Sequence, residues 1–229
     1  MNNTTLHKLS KTLNDSNITW GIGGSTLLEY YGLPTTPNDL DLWIHPEDIG
    51  KAKRVFETYE HINTNIYLPE KYHFKIHFYD IEVDFVSCFM IKQNQYKFSF
   101  YITPNHLRYI KMNELDIPVT YLEDWYIIYK LLKRDDKAKL IEEYFNNASI
   151  EMSVDALNLS LNDKSNTIPI KVLKSVQNIR QLSLFNTNEE EITHDIYLFS
   201  LPQIENIEKQ SYDTKLNNYE QLSIFDYNT

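Results

Sequence analysis

The sequence predicts an α/β fold: a mixed-sheet core flanked by helices, then a helical segment and a polar C-terminal tail. Three observations predict it. The first sixty residues read as strand, turn, helix, strand, helix. Residues 72–101 alternate apolar and polar side chains with the period of two that strands require, and residues 121–145 return to helical periodicity. The reading divides the chain into a core over 1–115, a helical segment over 116–147 that completes a cleft, and an acidic polar appendage over 148–229.

Element by element, residues 4–15 place Leu6, Leu9 and Leu13 at helical spacing, and Ile18–Ile22 reads as a strand. Gly23-Gly24-Ser25 breaks it, and Thr26–Tyr31 starts a helix that Gly32 and Pro34 end. Leu40–Ile44 is the next strand. Pro46-Glu47-Asp48 opens a helix with Ala52, Val55, Phe56 and Tyr59 on one face. Tyr72–Phe78 and Ile81–Val86 alternate strictly around a turn at Asp80. Phe89-Met90-Ile91 and Tyr96–Tyr101 flank the polar stretch 92–95. Trp125, Ile128, Tyr129, Leu131, Leu132 and Leu140 give 121–145 one apolar helical face. Beyond residue 148, Asn, Ser, Thr, Asp and Glu dominate, with short apolar clusters.

Bulk properties narrow the function. The 229 residues carry a net charge of −10, and the tail is the more acidic part for its length. Broad passive binding to a phosphate backbone is thereby disfavoured. One cysteine, Cys88, excludes an intramolecular disulfide and fits a cytoplasmic protein. No apolar run has membrane-spanning length, and Met1–Thr4 opens without the apolar core of a secretion signal.

The chemistry-bearing residues come in a set order. A strand running through Gly23-Gly24 into a helix exposes backbone N–H groups, with the Ser25 hydroxyl beside them, and a triphosphate suits such a turn. The same turn also serves an ordinary strand-to-helix connection capped by Ser25. Asp39 and Asp41, two apart in a strand, point the same way. Two carboxylates so close repel unless a cation lies between them, and Mg2+ takes hard oxygen ligands. Asp84 sits mid-strand between Val83 and Phe85 and supplies a third carboxylate, enough for a two-Mg2+ site. Alternatively, Glu82 and Asp84 line a wet sheet face and pair with Lys75 or His73.

Ile22-Gly23-Gly24-Ser25, then Asp39-Leu40-Asp41-Leu42, then Val83-Asp84-Phe85 resemble the DNA-polymerase-beta-type nucleotidyltransferase superfamily. Ile117-Pro118-Val119, Leu122–Trp125 and Lys130–Asp136 resemble the helical part of its small bacterial members, which include abortive-infection-type toxins and antibiotic-modifying enzymes. The resemblance spans about residues 15–147. It implies a mixed sheet with the three aspartates on adjacent strands, and transfer of NMP from an NTP to an acceptor hydroxyl. It further implies that Asp39, Asp41 and Asp84 are the catalytic metal ligands, with Gly23, Gly24 and Ser25 at the triphosphate and Lys130 facing the nucleotide. The acceptor stays open between an RNA end, a protein and a small molecule, as does any partner antitoxin.

The tail holds an internal echo. Gln181-Leu182-Ser183-Leu184-Phe185 recurs as Gln221-Leu222-Ser223-Ile224-Phe225. Both resemble the short peptides by which bacterial replication and repair proteins dock on the sliding clamp. The resemblance makes Gln181, Leu182, Leu184, Phe185, Gln221, Leu222, Ile224 and Phe225 the partner-binding residues. The rival expectation is a non-catalytic, clamp-docked adaptor that uses a nucleotidyltransferase scaffold.

Overall fold

Strand register decides where the chemistry lies. In the computed structural model, the described residues are 3–63, 72–93, 96–112 and 115–148, with the short pieces 152–153, 156–157, 168–169, 171–176 and 179. Helix α1 (Asn3–Asp15) is followed by β1 (Trp20–Ile22), α2 (Gly24–Tyr30), β2 (Leu40–Ile44), α3 (Ile49–Val55) and β3 (His61–Ile62). Then come β4 (His73–Phe78), β5 (Ile81–Val86), β6 (Cys88–Gln93), β7 (Tyr96–Tyr101), β8 (Leu107–Met112) and β9 (Leu115–Thr120). Helices α4 (Leu122–Leu131) and α5 (Asp135–Ala148) follow.

Seven strands form one sheet in the order β3-β4-β5-β2-β1-β9-β8, and β6 and β7 form a separate hairpin. The pairs β1–β9 and β2–β5 are parallel and the other neighbours antiparallel, so the sheet is mixed as expected. The period of two sorts its faces. Leu40, Leu42, Val83 and Phe85 are buried on one of them, where Phe74 stacks on Phe85 at 4.4 Å and Phe56 packs on Phe85 at 5.0 Å. On the other, Trp43 lies two residues beyond Asp41. It is covered by Phe89 and Phe100 of the hairpin and by Trp125 of α4. The helical stripe Leu6, Leu9, Leu13 is fully buried, each side chain contributing about 1.5–3 kcal/mol relative to exposure.

Two differences from the sequence reading matter. The sheet extends to Thr120, into the segment read as helical from residue 116, because β8 and β9 occupy a stretch that shows no clean alternation. The helix expected over 121–145 is two helices. Lys133 takes a left-handed conformation (φ 57°), the Arg134 N–H donates to the Tyr129 carbonyl at 2.8 Å, and the chain restarts as α5. Asp135 and Asp136 stand in the first turn of α5, where negative charge suits the helix dipole. Among the described residues no helix is long and apolar enough to cross a membrane. The two repeated tail elements, 181–185 and 221–225, lie outside the described residues.

Candidate active site

The parallel β2–β5 register sets Asp41 directly beside Asp84, and Asp39 precedes β2 by one residue. Leu40 between the two aspartates is buried on the opposite face, which turns both carboxylates to the same side. One ligand oxygen from each of Asp39, Asp41 and Asp84 lies within 4.8 Å of the others.

The glycine turn is built against this cluster. The Gly23 N–H donates to the Asp41 carbonyl at 3.0 Å, and a Cβ on Gly23 would press on Trp43 and Trp125. Gly24 has φ +61°, and a Cβ there would overlap the Asp41 carboxylate. The gap that sequence reasoning reserved for phosphate oxygens is thus first of all the space Asp41 needs. We expect Gly24→Ala to cost about 1–3 kcal/mol, from left-handed strain and this clash together. Urea unfolding measures it; a midpoint equal to wild type would show that the turn relaxes freely.

Ser25 joins the turn to the helices. Its backbone N–H donates to the Asp41 carboxylate, and its hydroxyl is reached by the Lys137 ammonium and by the Tyr129 phenol. Thr35 Oγ1 donates to the Ser25 carbonyl and Thr26 Oγ1 to the Asp39 carbonyl, each at 3.1 Å, fixing the loop that delivers Asp39.

Electrostatics follow from crowding. Burial, then the charges of Asp39 and Asp84, push the Asp41 carboxyl up to about 7, against the pull of the Ser25 N–H and Lys137. Burial and the nearby Arg134 charge lower the Lys137 ammonium, while Asp41, Asp136 and Asp39 hold it up. Burial opposes the Lys75 ammonium too, but hydrogen bonds to Asp39 and Glu82, both at 2.8 Å, raise it above its ordinary value. His73 Nε2 lies 2.5 Å from Asp84 Oδ1 in a buried pair.

The structure therefore brings together Asp39, Asp41, Asp84, Gly23, Gly24 and Ser25. It does not bring Lys130 to them. Its Nζ is 2.6 Å from Asp135 Oδ1, on a cleft shared with Lys139, Glu142 and Lys171. The lysine at Ser25 is Lys137, one element later. Reading 121–145 as one unbroken helix hides this, because the turn at Lys133 resets which face each later residue occupies. The pairings of His73 with Asp84 and of Lys75 with Glu82, weighed in the sequence as features of a wet sheet face, coexist here with the convergent triad.

No family model and no curated protein matches the chain. Among solved structures it is similar to a candidate nucleotidyltransferase (TM1012) from Thermotoga maritima. Identity is 18%, the match covers 63% of this chain and 92% of that one, and the TM-score is 0.45. It is also similar to the lincosamide antibiotic adenylyltransferase LnuA in a lincomycin-bound structure, at 8% identity, 63% and 98% coverage and a TM-score of 0.43. A third is ANT(2'')-Ia in complex with adenylyl-2''-tobramycin, at 13% identity, 80% and 97% coverage and a TM-score of 0.42. The functional reading rests on the geometry of the site itself.

Proposed function

We propose that this protein is a Mg2+-dependent nucleotidyltransferase that moves an NMP from an NTP to an acceptor hydroxyl. The observation that carries the reading is the convergence of Asp39, Asp41 and Asp84 within 4.8 Å on one face of the sheet, beside the Ser25–Lys137 contact. The donor set fits the metal: three carboxylates offer only hard oxygens, and Asp41, raised first by burial and then by the charges of Asp39 and Asp84, carries a strain that a cation would relieve. Asp39, Asp41 and Asp84 would hold two ions. Bound there, they supply charge neutralisation at the transferring phosphoryl group and a lowered pKa for the acceptor hydroxyl.

The chain's own residues do the rest. Lys137, partly buried and already directed at Ser25, offers its charge to the polyphosphate; Ser25 offers its hydroxyl. Lys137 takes the role that the sequence reading gave to Lys130. In the transfer, the acceptor oxygen forms a bond to the α-phosphorus, the bond to the bridging oxygen breaks, pyrophosphate leaves, and the hydroxyl proton passes to solvent. Incubation with each α-labelled NTP, Mg2+ and total cell extract tests the reading and finds the acceptor fraction: RNA, protein or small molecule. No label transfer from any NTP overturns it.

The repeat of the Gln-Leu-Ser-Leu/Ile-Phe element supports recruitment of this cytoplasmic enzyme to the bacterial sliding clamp. Two linked weak sites gain avidity on a multimeric partner. Purified clamp should retain the full chain. The combined change of Leu182, Phe185, Leu222 and Phe225 to Ala should abolish retention, and a change in one copy should weaken it less. No retention of the full chain at micromolar concentration removes clamp recruitment and leaves the transferase reading intact.

A further inference from the structure

Lys75 stands in an unusual place for a strand lysine. In β4 it registers with Asp84 on β5, and its ammonium continues past β5 to Asp39 Oδ2, at 2.8 Å, at the start of the strand beyond. The same ammonium is 2.8 Å from Glu82 Oε2. A lysine that served only to pair β4 with β5 would be satisfied by Glu82, its diagonal neighbour across the ladder. Asp39 is not a neighbour of that kind. It is one of the three carboxylates that converge, and Lys75 covers one of its oxygens.

The placement has two electrostatic consequences. The ammonium supplies one positive charge to a cluster of three carboxylates, relieving part of their repulsion. It also competes for Asp39 with any divalent ion and repels that ion at short range. The lysine side chain is 15% exposed and its second partner Glu82 is 42% exposed, outside the triad, so the flexible four-carbon stem has an alternative anchor.

We propose that Lys75 is the resident counter-ion of the carboxylate site. It holds Asp39 when no divalent cation is bound and yields Asp39 while retained by Glu82 when one binds, thereby setting the site's metal affinity. This inference rests on the reading of Asp39, Asp41 and Asp84 as metal ligands. Lys75 is then a positioning residue, acting through Asp39.

The test is Mn2+ binding to the full-length, nucleotide-free protein, read by the loss of the free-ion electron paramagnetic resonance signal at low salt. Lys75→Met should bind Mn2+ about tenfold more tightly than wild type, because a charge-assisted contact that competes for Asp39 is gone. Lys75→Arg, which keeps the charge, should stay within about twofold of wild type. Lys51→Met removes the same charge from the pair that Lys51 of α3 makes with Asp48, the residue before that helix, and should leave the affinity unchanged, separating Lys75 from a net-charge effect. If Lys75→Met does not fold, as judged by its circular dichroism melt, Lys75→Gln carries the same expectation. Unchanged or weaker Mn2+ binding in the folded uncharged variant, with wild type binding normally, overturns the role of Lys75 alone. No Mn2+ binding by wild type or by the variant overturns the metal site and the role of Lys75 together.

Discussion

Asp84→Asn should lower NMP transfer by about a thousandfold or more while leaving the protein folded. A loss of that size corresponds to about 4 kcal/mol of transition-state stabilisation, within the range of removing one charged group from a site of this kind. The fold should tolerate the change for three reasons. Asn has the size and shape of Asp, so the β2–β5 register at Asp41 and Asp84 is undisturbed. Its amide oxygen still accepts from His73 Nε2, which lies 2.5 Å from Asp84 Oδ1. Removal of one of the charges that crowd Asp41 also relieves repulsion in the metal-free protein. Transfer from α-labelled NTP and the thermal midpoint, measured on the same preparation, check both halves. Transfer within tenfold of wild type would remove Asp84 from the site. A collapsed midpoint would mean that the His73–Asp84 pair is needed for folding.

Asp84 and Lys137 show why some of this site is legible in the sequence and some is not. A carboxylate between Val83 and Phe85 in a strictly alternating run is conspicuous, because a charge at mid-strand needs a partner or a purpose. Asp39 and Asp41 are legible for the same reason: their spacing is a backbone period, which no tertiary contact is needed to reveal. Lys137 has no such signature. Its position depends on the break at Lys133, where neither Gly nor Pro marks the turn, so the apolar repeat runs on through it. Strands β8 and β9 are hidden differently. Arg108, Lys111 and Asp116 interrupt their apolar pattern, and Pro118, which has no N–H to give, reads against a strand inside a sheet. The structure seats β9 between β8 and a β1 of only three residues that meets it through the single registered pair Ile22 and Val119. Lys75 was visible as a polar strand position. Its reach to Asp39 was not, because it crosses an intervening strand whose order in the sheet is a tertiary fact.

Asp41→Asn should make the metal-free protein more stable at pH 8, by a margin that vanishes toward pH 4. The unfolded chain titrates Asp41 at its ordinary value of 3.8, and the folded chain at about 7. Between those values the folded state binds more protons than the unfolded state, so wild-type stability falls as pH rises through this window. The stability is complete below about pH 4 and the loss is complete above about pH 7. The penalty is on the order of 4 kcal/mol, trimmed by screening because Asp41 keeps part of its surface in solvent. Asn carries no charge at any pH and escapes it. The difference between variant and wild type isolates Asp41 from the other carboxylates, whose own titration shapes both curves. Mg2+ should reverse the order. At pH 8 the Asp41 carboxylate is ionised, and a bound cation offsets the repulsion, so wild type gains stability that the variant does not match. Below about pH 7 binding must first displace a proton, and the gain should shrink about tenfold in apparent affinity per pH unit. Urea titrations of both proteins at pH 4.5 and pH 8, with and without Mg2+, give all four comparisons. If Asp41→Asn is no more stable than wild type at pH 8 without metal, Asp41 is strained neither by burial nor by the charges of Asp39 and Asp84, and the strain that argues for a cation among these carboxylates is absent.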